Sequence, residues 1–150
     1  MTENIKIYPA AEEDLAGISS LIVELQRELN EDNGPSQETI QNNLRKLYKD
    51  SNSYFYLARH KKKIVGFINF SLRRTILHPS PSALIDEMIV SKKYRGKGIG
   101  ESLVKEVVRK CRDLGCCELE VSTLKNNQKA RKFYRKCGFE DQAFLLEMDL

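Results

Sequence analysis

The chain has 150 residues, of which 41% are hydrophobic and 31% charged, with a net charge of +4. That length and apolar content suit one globular domain, read as 1–150, with a real core. No apolar stretch approaches the roughly 18 residues needed to span a bilayer, and Met1-Thr2-Glu3-Asn4-Ile5-Lys6 lacks the basic start and apolar run of a signal peptide, so a cytoplasmic protein with no membrane partner is expected.

Ile5 to Tyr8 reads as a short first strand, ended by Pro9. Leu15, Ile18, Leu21, Ile22, Leu25 and Leu29 recur at helical spacing, behind Glu12, Glu13 and Asp14, which suit the positive end of the helix dipole. Asn33-Gly34-Pro35-Ser36 breaks that helix, and Ser36, three residues before Thr39, is placed to cap a second one with Ile40, Leu44 and Leu47 on its inner side. Tyr54 to Arg59 and Lys63 to Leu72 read as a hairpin around the basic turn His60-Lys61-Lys62, with a bulge at Gly66. Thr75 to Ser82, with Pro79 and Pro81, reads as a loop. Leu84 to Val90 is apolar except for Asp86 and Glu87, so it reads as a strand of a sheet covered on both faces. Ile99, Leu103, Val107, Cys111 and Leu114 form a helical stripe that Gly115 ends. Cys117 to Ser122 reads as a buried strand, Asn127 to Lys136 as a short helix stopped by Gly138, and Ala143 to Met148 as a last strand.

Cys111, Cys116, Cys117 and Cys137 have neither CxxC spacing nor partner histidines, and His60 and His78 fall in predicted loops. Reduced structural thiols are expected, and no metal. Adjacent Cys116 and Cys117 would point to opposite sides of a strand, leaving at least one as core filler. The basic residues gather at Lys92 to Lys97 and at Lys125 to Lys136, and the aromatic residues among them, Tyr94 and Phe133-Tyr134, are too sparse to stack bases. A ligand with several phosphates explains that clustering more economically than a nucleic acid does.

The run Val90-Ser91-Lys92-Lys93-Tyr94-Arg95-Gly96-Lys97-Gly98-Ile99-Gly100 carries the most chemistry. A strand stops, a basic glycine-rich turn follows, and an amphipathic helix begins at once. Glycines at alternate positions let backbone N–H groups approach an anion, and the new helix aims its unpaired N–H groups and positive dipole end at the same point. A P-loop is excluded, because Gly96-Lys97 is followed by Gly98 rather than Ser or Thr. A GxGxxG fingerprint fails as well: counted from Gly96 its third glycine falls on Glu101, and counted from Gly98 on Leu103.

Arg95, Gly98 and Gly100 spell RxxGxG, and Asn127-x-x-Ala130-x-x-Phe133-Tyr134-x-x-x-Gly138-Phe139 follows downstream. Together they resemble the signature turn and closing segment of the GNAT superfamily of acetyl-CoA-dependent N-acetyltransferases, and the element order βααβββαβαβ matches that superfamily across essentially the whole chain. The resemblance implies an α/β fold with a central mixed, mostly antiparallel sheet flanked by helices, the first two of which shape the acceptor site. It also implies acetyl-CoA as co-substrate, lying where the strand Leu84 to Val90 and the strand Cys117 to Ser122 splay apart at a bulge. Backbone groups around Met88, Ile89 and Val90 would bind the pantetheine arm and polarise the thioester oxygen. Gly96, Lys97, Gly98, Ile99 and Gly100 would hold the pyrophosphate, Arg95 would add charge, and Asn127 would contact the cofactor arm.

Acetyl transfer to an amine needs a base to take a proton from the ammonium and an acid to protonate the departing thiolate. Tyr134 matches the superfamily's usual acid, with Phe133 left to fill the core. Asp86 and Glu87 are the candidate bases; alternation sends them to opposite faces, so only one would face the acceptor, and Asp86 is preferred because an acid there resembles the one in polyamine and aminoglycoside acetyltransferases. The bland alternative pairs both carboxylates with Arg73 or Arg74. Acidic Glu24, Glu28, Glu31 and Asp32 could attract a cationic acceptor, although such residues usually face water. The leading reading is a small-molecule amine acetyltransferase. The others are a protein N-terminal or lysine acetyltransferase and a silent acyl-CoA sensor. The implied partners are acetyl-CoA and an amine, with a homodimer allowed.

Overall fold

The computed structural model describes residues 4–29 and 32–150. In chain order the elements are β1 (Ile5–Pro9), α1 (Leu15–Glu28), α2 (Gln37–Tyr48), β2 (Ser53–His60), β3 (Lys63–Arg73), β4 (Ser82–Val90), α3 (Ile99–Asp113), β5 (Glu118–Val121) and α4 (Gln128–Lys136), with single 3-10 turns at Glu12–Asp14 and Lys92–Tyr94. The strands form one sheet in sequence order, β1-β2-β3-β4-β5. Each of the first four is antiparallel to its neighbour and β5 runs parallel to β4, which requires the α3 crossover between them.

Both faces are covered, as the apolar strand pattern requires. Ile18, Leu21, Ile40 and Leu44 bring α1 and α2 onto Phe55, Leu57, Phe67 and Ile89 on one face. On the other, Ile99, Leu103, Val104 and Val107 of α3 cover Ala58, Ile68, Phe70 and Ile85. Ser36 caps α2 through its Oγ, which accepts the Thr39 N–H at 3.2 Å. Leu47 departs from its expected inner position and is 40% exposed, because the buried stripe of α2 is carried by Ile40 and Leu44.

Several boundaries shift. His60 ends β2 rather than lying in a loop, and its Nδ1 is 3.0 Å from the Tyr94 hydroxyl. Pairing with β3 extends β4 back to Ser82. Cys117 lies just before β5 and is exposed, while Cys116 is half-buried. In the hairpin, Ala58 pairs with Gly66 and Arg59 with Ile64, so the bulged residue is Val65; Gly66 itself is where Leu103 and Ile99 press closest on β3. The expected strand Ala143 to Met148 does not form: residues 140–150 are exposed and carry no strand.

Candidate active site

The second bulge, in the middle of β4, shapes the site. Asn69 pairs with Glu87 and Phe70 with Ile85, which leaves Asp86 as an extra residue without a partner on β3. Pairing with β5 stops at the same place, at Ile85 opposite Val121. Beyond it, Met88 to Val90 keep β3 on one side and have a free edge on the other. The Ser91 N–H donates to the Val65 carbonyl at 2.8 Å, so by strand alternation the N–H groups of Val90 and Met88 point to that free edge, while that of Ile89 faces β3.

The bulge also corrects the expected placement of the two acids. An extra residue breaks strict alternation, and the same slip turns Ile89 toward α1 and α2 although Ile85 packs under α3. Asp86 lies by the Ser71 hydroxyl and Glu87 by Asn69, two residues apart on one face of β3, so both carboxylates stand on the α1–α2 side instead of on opposite faces. Buried Asn69 fixes the kink, its Oδ1 accepting the Glu87 N–H at 3.0 Å. Desolvation raises the pKa of both acids above the ordinary carboxylate value; for Glu87 the charge of Asp86 adds to it, and the Ser71 and Asn69 side chains oppose it. Among the described residues no cation pairs with either, and Arg73 instead meets Glu120 at 3.3 Å.

At the far end of β4, Gly96 and Gly98 take φ of +72° and +80°, and a Cβ on either would meet nothing within 4 Å. Gly98 is the N-cap of α3 and offers no side-chain cap, so the N–H groups of Ile99, Gly100 and Glu101 precede the first intrahelical donor, Ser102, whose N–H reaches the Gly98 carbonyl at 3.0 Å. An uncapped N-terminus with open space beside its glycines, preceded in the chain by Lys92, Lys93 and Lys97, fits the phosphates of coenzyme A. Gly100 has a different reason to be glycine: a Cβ there would lie 3.1 Å from the Phe133 ring, so it lets α4 close against α3. Arg95 turns away from the amides; its Nε donates to the Val90 carbonyl at 2.9 Å and its guanidinium pairs with Glu28. Glu24 accepts from the Ser91 hydroxyl at 2.8 Å. Two of the acids read as an acceptor lure therefore fasten α1 to the turn. Glu31 lies outside the described residues, and Asp32 sits in an exposed turn.

Asn127 caps α4, its Oδ1 accepting the Ala130 N–H at 3.0 Å, which leaves its amide N–H groups for a ligand. Phe133 packs at Gly100, where the Met88 side chain also arrives, and so brings α4 near the β4 end of the site. Tyr134 is half-buried between Phe133 and Phe139, with ring centroids 5.1 Å and 5.5 Å away. Burial first, then the neighbouring Cys137, pushes its phenol up to about 12, so it keeps its proton throughout the neutral range. The resemblance implied a bulge; what sequence reasoning missed was its place at Asp86, which puts both acids on one side, and the Glu28–Arg95 tie. An acidic pair in an otherwise apolar strand was the only local signal for the first.

A five-stranded mixed sheet with a parallel last strand, a splay at a mid-strand bulge and an amide-lined turn at the start of the crossover helix define an acyl-CoA N-acyltransferase fold. The chain belongs to the acetyltransferase (GNAT) family, whose profile matches residues 19–139. An aminoalkylphosphonate N-acetyltransferase of Salmonella typhimurium is 25% identical over 135 residues, 90% of this chain and 84% of that protein. An aminoglycoside N(6')-acetyltransferase of Stenotrophomonas maltophilia is 31% identical over 80 residues, 51% of this chain and 52% of that protein. Among the first curated relatives, the matched part spans from 34% to 59% of their own length. An aminoglycoside acetyltransferase from an uncultured soil metagenomic sample, solved with trehalose, superposes with a TM-score of 0.82 at 27% identity over 97% of this chain and 96% of its own. No helix among the described residues is long and apolar enough to cross a membrane.

Proposed function

We propose that this chain moves the acetyl group of acetyl-CoA directly to a primary amine of a small cationic acceptor. The observation that carries the reading is the pair of carboxylates, Asp86 and Glu87, which share one face of a bulge without a compensating cation and stand at the splay where the free N–H groups of Met88 and Val90 begin. An amine brings the missing positive charge. The acceptor classes named for the relatives, an aminoglycoside and an aminoalkylphosphonate, both carry amines.

The uncapped amides of Ile99 to Glu101, with the turn from Gly96 to Gly98, hold the pyrophosphate, and Lys92, Lys93 and Lys97 balance its charge. The Met88 and Val90 N–H groups hold the pantetheine arm and meet the negative charge that develops on the thioester oxygen. Asn127 offers its amide to the same arm. Glu87, raised by burial and then by the charge of Asp86, takes a proton from the acceptor ammonium, either directly or through water, in place of the Asp86 preferred from the sequence, and Asp86 keeps the cation in place. The freed amine attacks the thioester carbon. As the C–N bond forms and the C–S bond breaks, the nitrogen loses its second proton to water, Tyr134 gives its proton to the leaving thiolate and regains one from solvent, and Glu87 releases the proton it took to solvent.

The test is a screen of aminoglycosides, polyamines, aminoalkylphosphonates, lysine analogues and amino-terminal peptides, following thiol release from acetyl-CoA. Turnover confined to small amines is the expected result. Turnover with peptides alone would move the assignment to a protein acetyltransferase, and acetyl-CoA binding without turnover on any amine would leave a sensor.

A further inference from the structure

The end of α3 brings two thiols together. The helix is capped by Leu114, and Gly115, with φ of +73°, reverses the chain. The Gly115 N–H donates to the Arg112 carbonyl at 3.0 Å, and the Cys116 N–H reaches back to the Cys111 carbonyl at 2.9 Å. This pair of bonds is the Schellman termination, in which the side chain two places after the cap folds onto the one three places before it. Here those residues are Cys116 and Cys111, both free and both packed in the core that α3 covers. Their thiols lie within hydrogen-bonding reach of each other. The turn between the two cysteines, with no help from any other element, makes them neighbours.

The two thiols are not equivalent. Cys111 is buried, and burial, then the neighbouring Cys116, pushes its thiol above the ordinary value, so it keeps its proton. Cys116 is half-buried and is the one of the pair that solvent reaches. Cys117 takes no part: it is exposed, and its thiol donates to the Ser80 and Pro81 carbonyls at 3.4 and 3.5 Å, away from the pair.

We propose that Cys111 and Cys116 are a redox-modification site, which a peroxide closes into a disulfide across the end of α3 and a dithiol opens again. The Cys116 sulfur attacks a peroxide oxygen, the O–O bond breaks, and the thiol proton leaves with the departing oxygen as water, so that Cys116 carries a sulfenic acid. The Cys111 sulfur then attacks the Cys116 sulfur, the S–O bond breaks, and the Cys111 proton leaves with the hydroxyl as a second water. Two thiols lose two electrons between them, and one peroxide is reduced to two waters. Cys111 ionises poorly, yet it needs no approach, because the turn already holds it against its partner. The link closes a contact that exists in the reduced chain, so the glycine turn at the other end of α3 stays where it is. The site is independent of the acetyl-transfer chemistry.

To test this, the full chain is treated with one equivalent of hydrogen peroxide, its remaining thiols are alkylated with iodoacetamide, and trypsin is added without reductant. Cleavage after Lys110, Arg112 and Lys125 separates the two cysteines, so mass spectrometry is expected to find Cys111-Arg112 linked to the fragment from Asp113 to Lys125, with Cys117 and Cys137 alkylated. The same link is expected in Cys117→Ser and none in Cys116→Ser. Alkylated Cys111 and Cys116 after oxidation overturn the proposal, as does a link between Cys116 and Cys117 or between two chains. Melting of the wild-type chain gives a second reading that needs no variant. The linked form is expected to melt about 4–8 °C higher, the gain from closing a short loop without strain, and to return to the starting value with dithiothreitol. A linked chain that melts lower would mean that the thiols had to be pulled together, and that result sinks the site.

Discussion

Under the proposed function, the turn that follows β4 and the bulge in its middle are two ways of making a binding site on one strand. At the turn the working groups are backbone amides, and the sequence requirement is for atoms to be missing: Gly96 and Gly98 take left-handed φ and leave open space. At the bulge the working groups are carboxylates, and the requirement is for atoms to be present and crowded, with buried Asn69 holding the kink that brings Asp86 and Glu87 to one side. A site made by omission is broken by adding a group, and one made by side chains is broken by removing one.

Gly98→Asp is the sharpest test of the first kind. The open space leaves the fold free to accept the side chain, at about 1–2 kcal/mol for the left-handed φ, yet the new carboxylate sits at the amides that would meet the pyrophosphate. Acetyl-CoA affinity by calorimetry is expected to fall by about 100-fold or more, the loss of two charge-assisted hydrogen bonds. Unchanged affinity in a folded variant would break the assignment of the turn.

Tyr134→Phe removes one proton and keeps the ring between Phe133 and Phe139. We expect kcat to fall by about 10- to 1000-fold with acetyl-CoA affinity and folding nearly unchanged, the usual range for a lost general acid. A wild-type kcat, measured where chemistry limits turnover, would show that the hydroxyl is not the acid.

For the acids, Glu87→Gln is expected to lower kcat/KM more than Asp86→Asn, by about 10- to 100-fold. The sign of the pH dependence follows from their raised pKa values: the base form appears only as pH climbs above the ordinary 4.5, so the acid limb of the rate profile lies on the alkaline side of that value and is lost in Glu87→Gln. Folding has the opposite sign. A carboxyl whose folded pKa is raised costs stability as pH rises from the unfolded value through the folded one, so the same variant is expected to melt slightly higher at neutral pH, by about 1 °C. Equal and negligible losses of rate in both variants would return the pair to a structural role.

The smallest effect is expected at the tie between the two sides of the site. Glu28→Gln frees the Arg95 guanidinium while leaving its bond to the Val90 carbonyl, and a solvent-screened pair of this kind contributes little to stability. The KM for acetyl-CoA is expected to rise about two- to fivefold at low salt, with little change in kcat. A change in kcat alone would mean that Glu28 serves the acceptor.

Much of this was legible in the residues. Helical spacing placed α1, α2 and α3, Ser36 announced its cap, and the glycines announced the left-handed turn at the uncapped head of α3, because periodicity, capping and backbone freedom are local properties. The side on which the acids stand was not legible, since one unpaired residue on β4 inverts the alternation that sequence counting assumes, and only pairing with Asn69 and Phe70 decides where that residue falls. Nor could spacing reveal that Arg95 and Glu28, 67 residues apart, would hold each other instead of a phosphate and an amine. The last segment makes the same point from the other direction. Ala143 to Met148 was read as a last strand and forms none, because a strand exists only where an edge receives it, and an edge is a property of the assembled sheet.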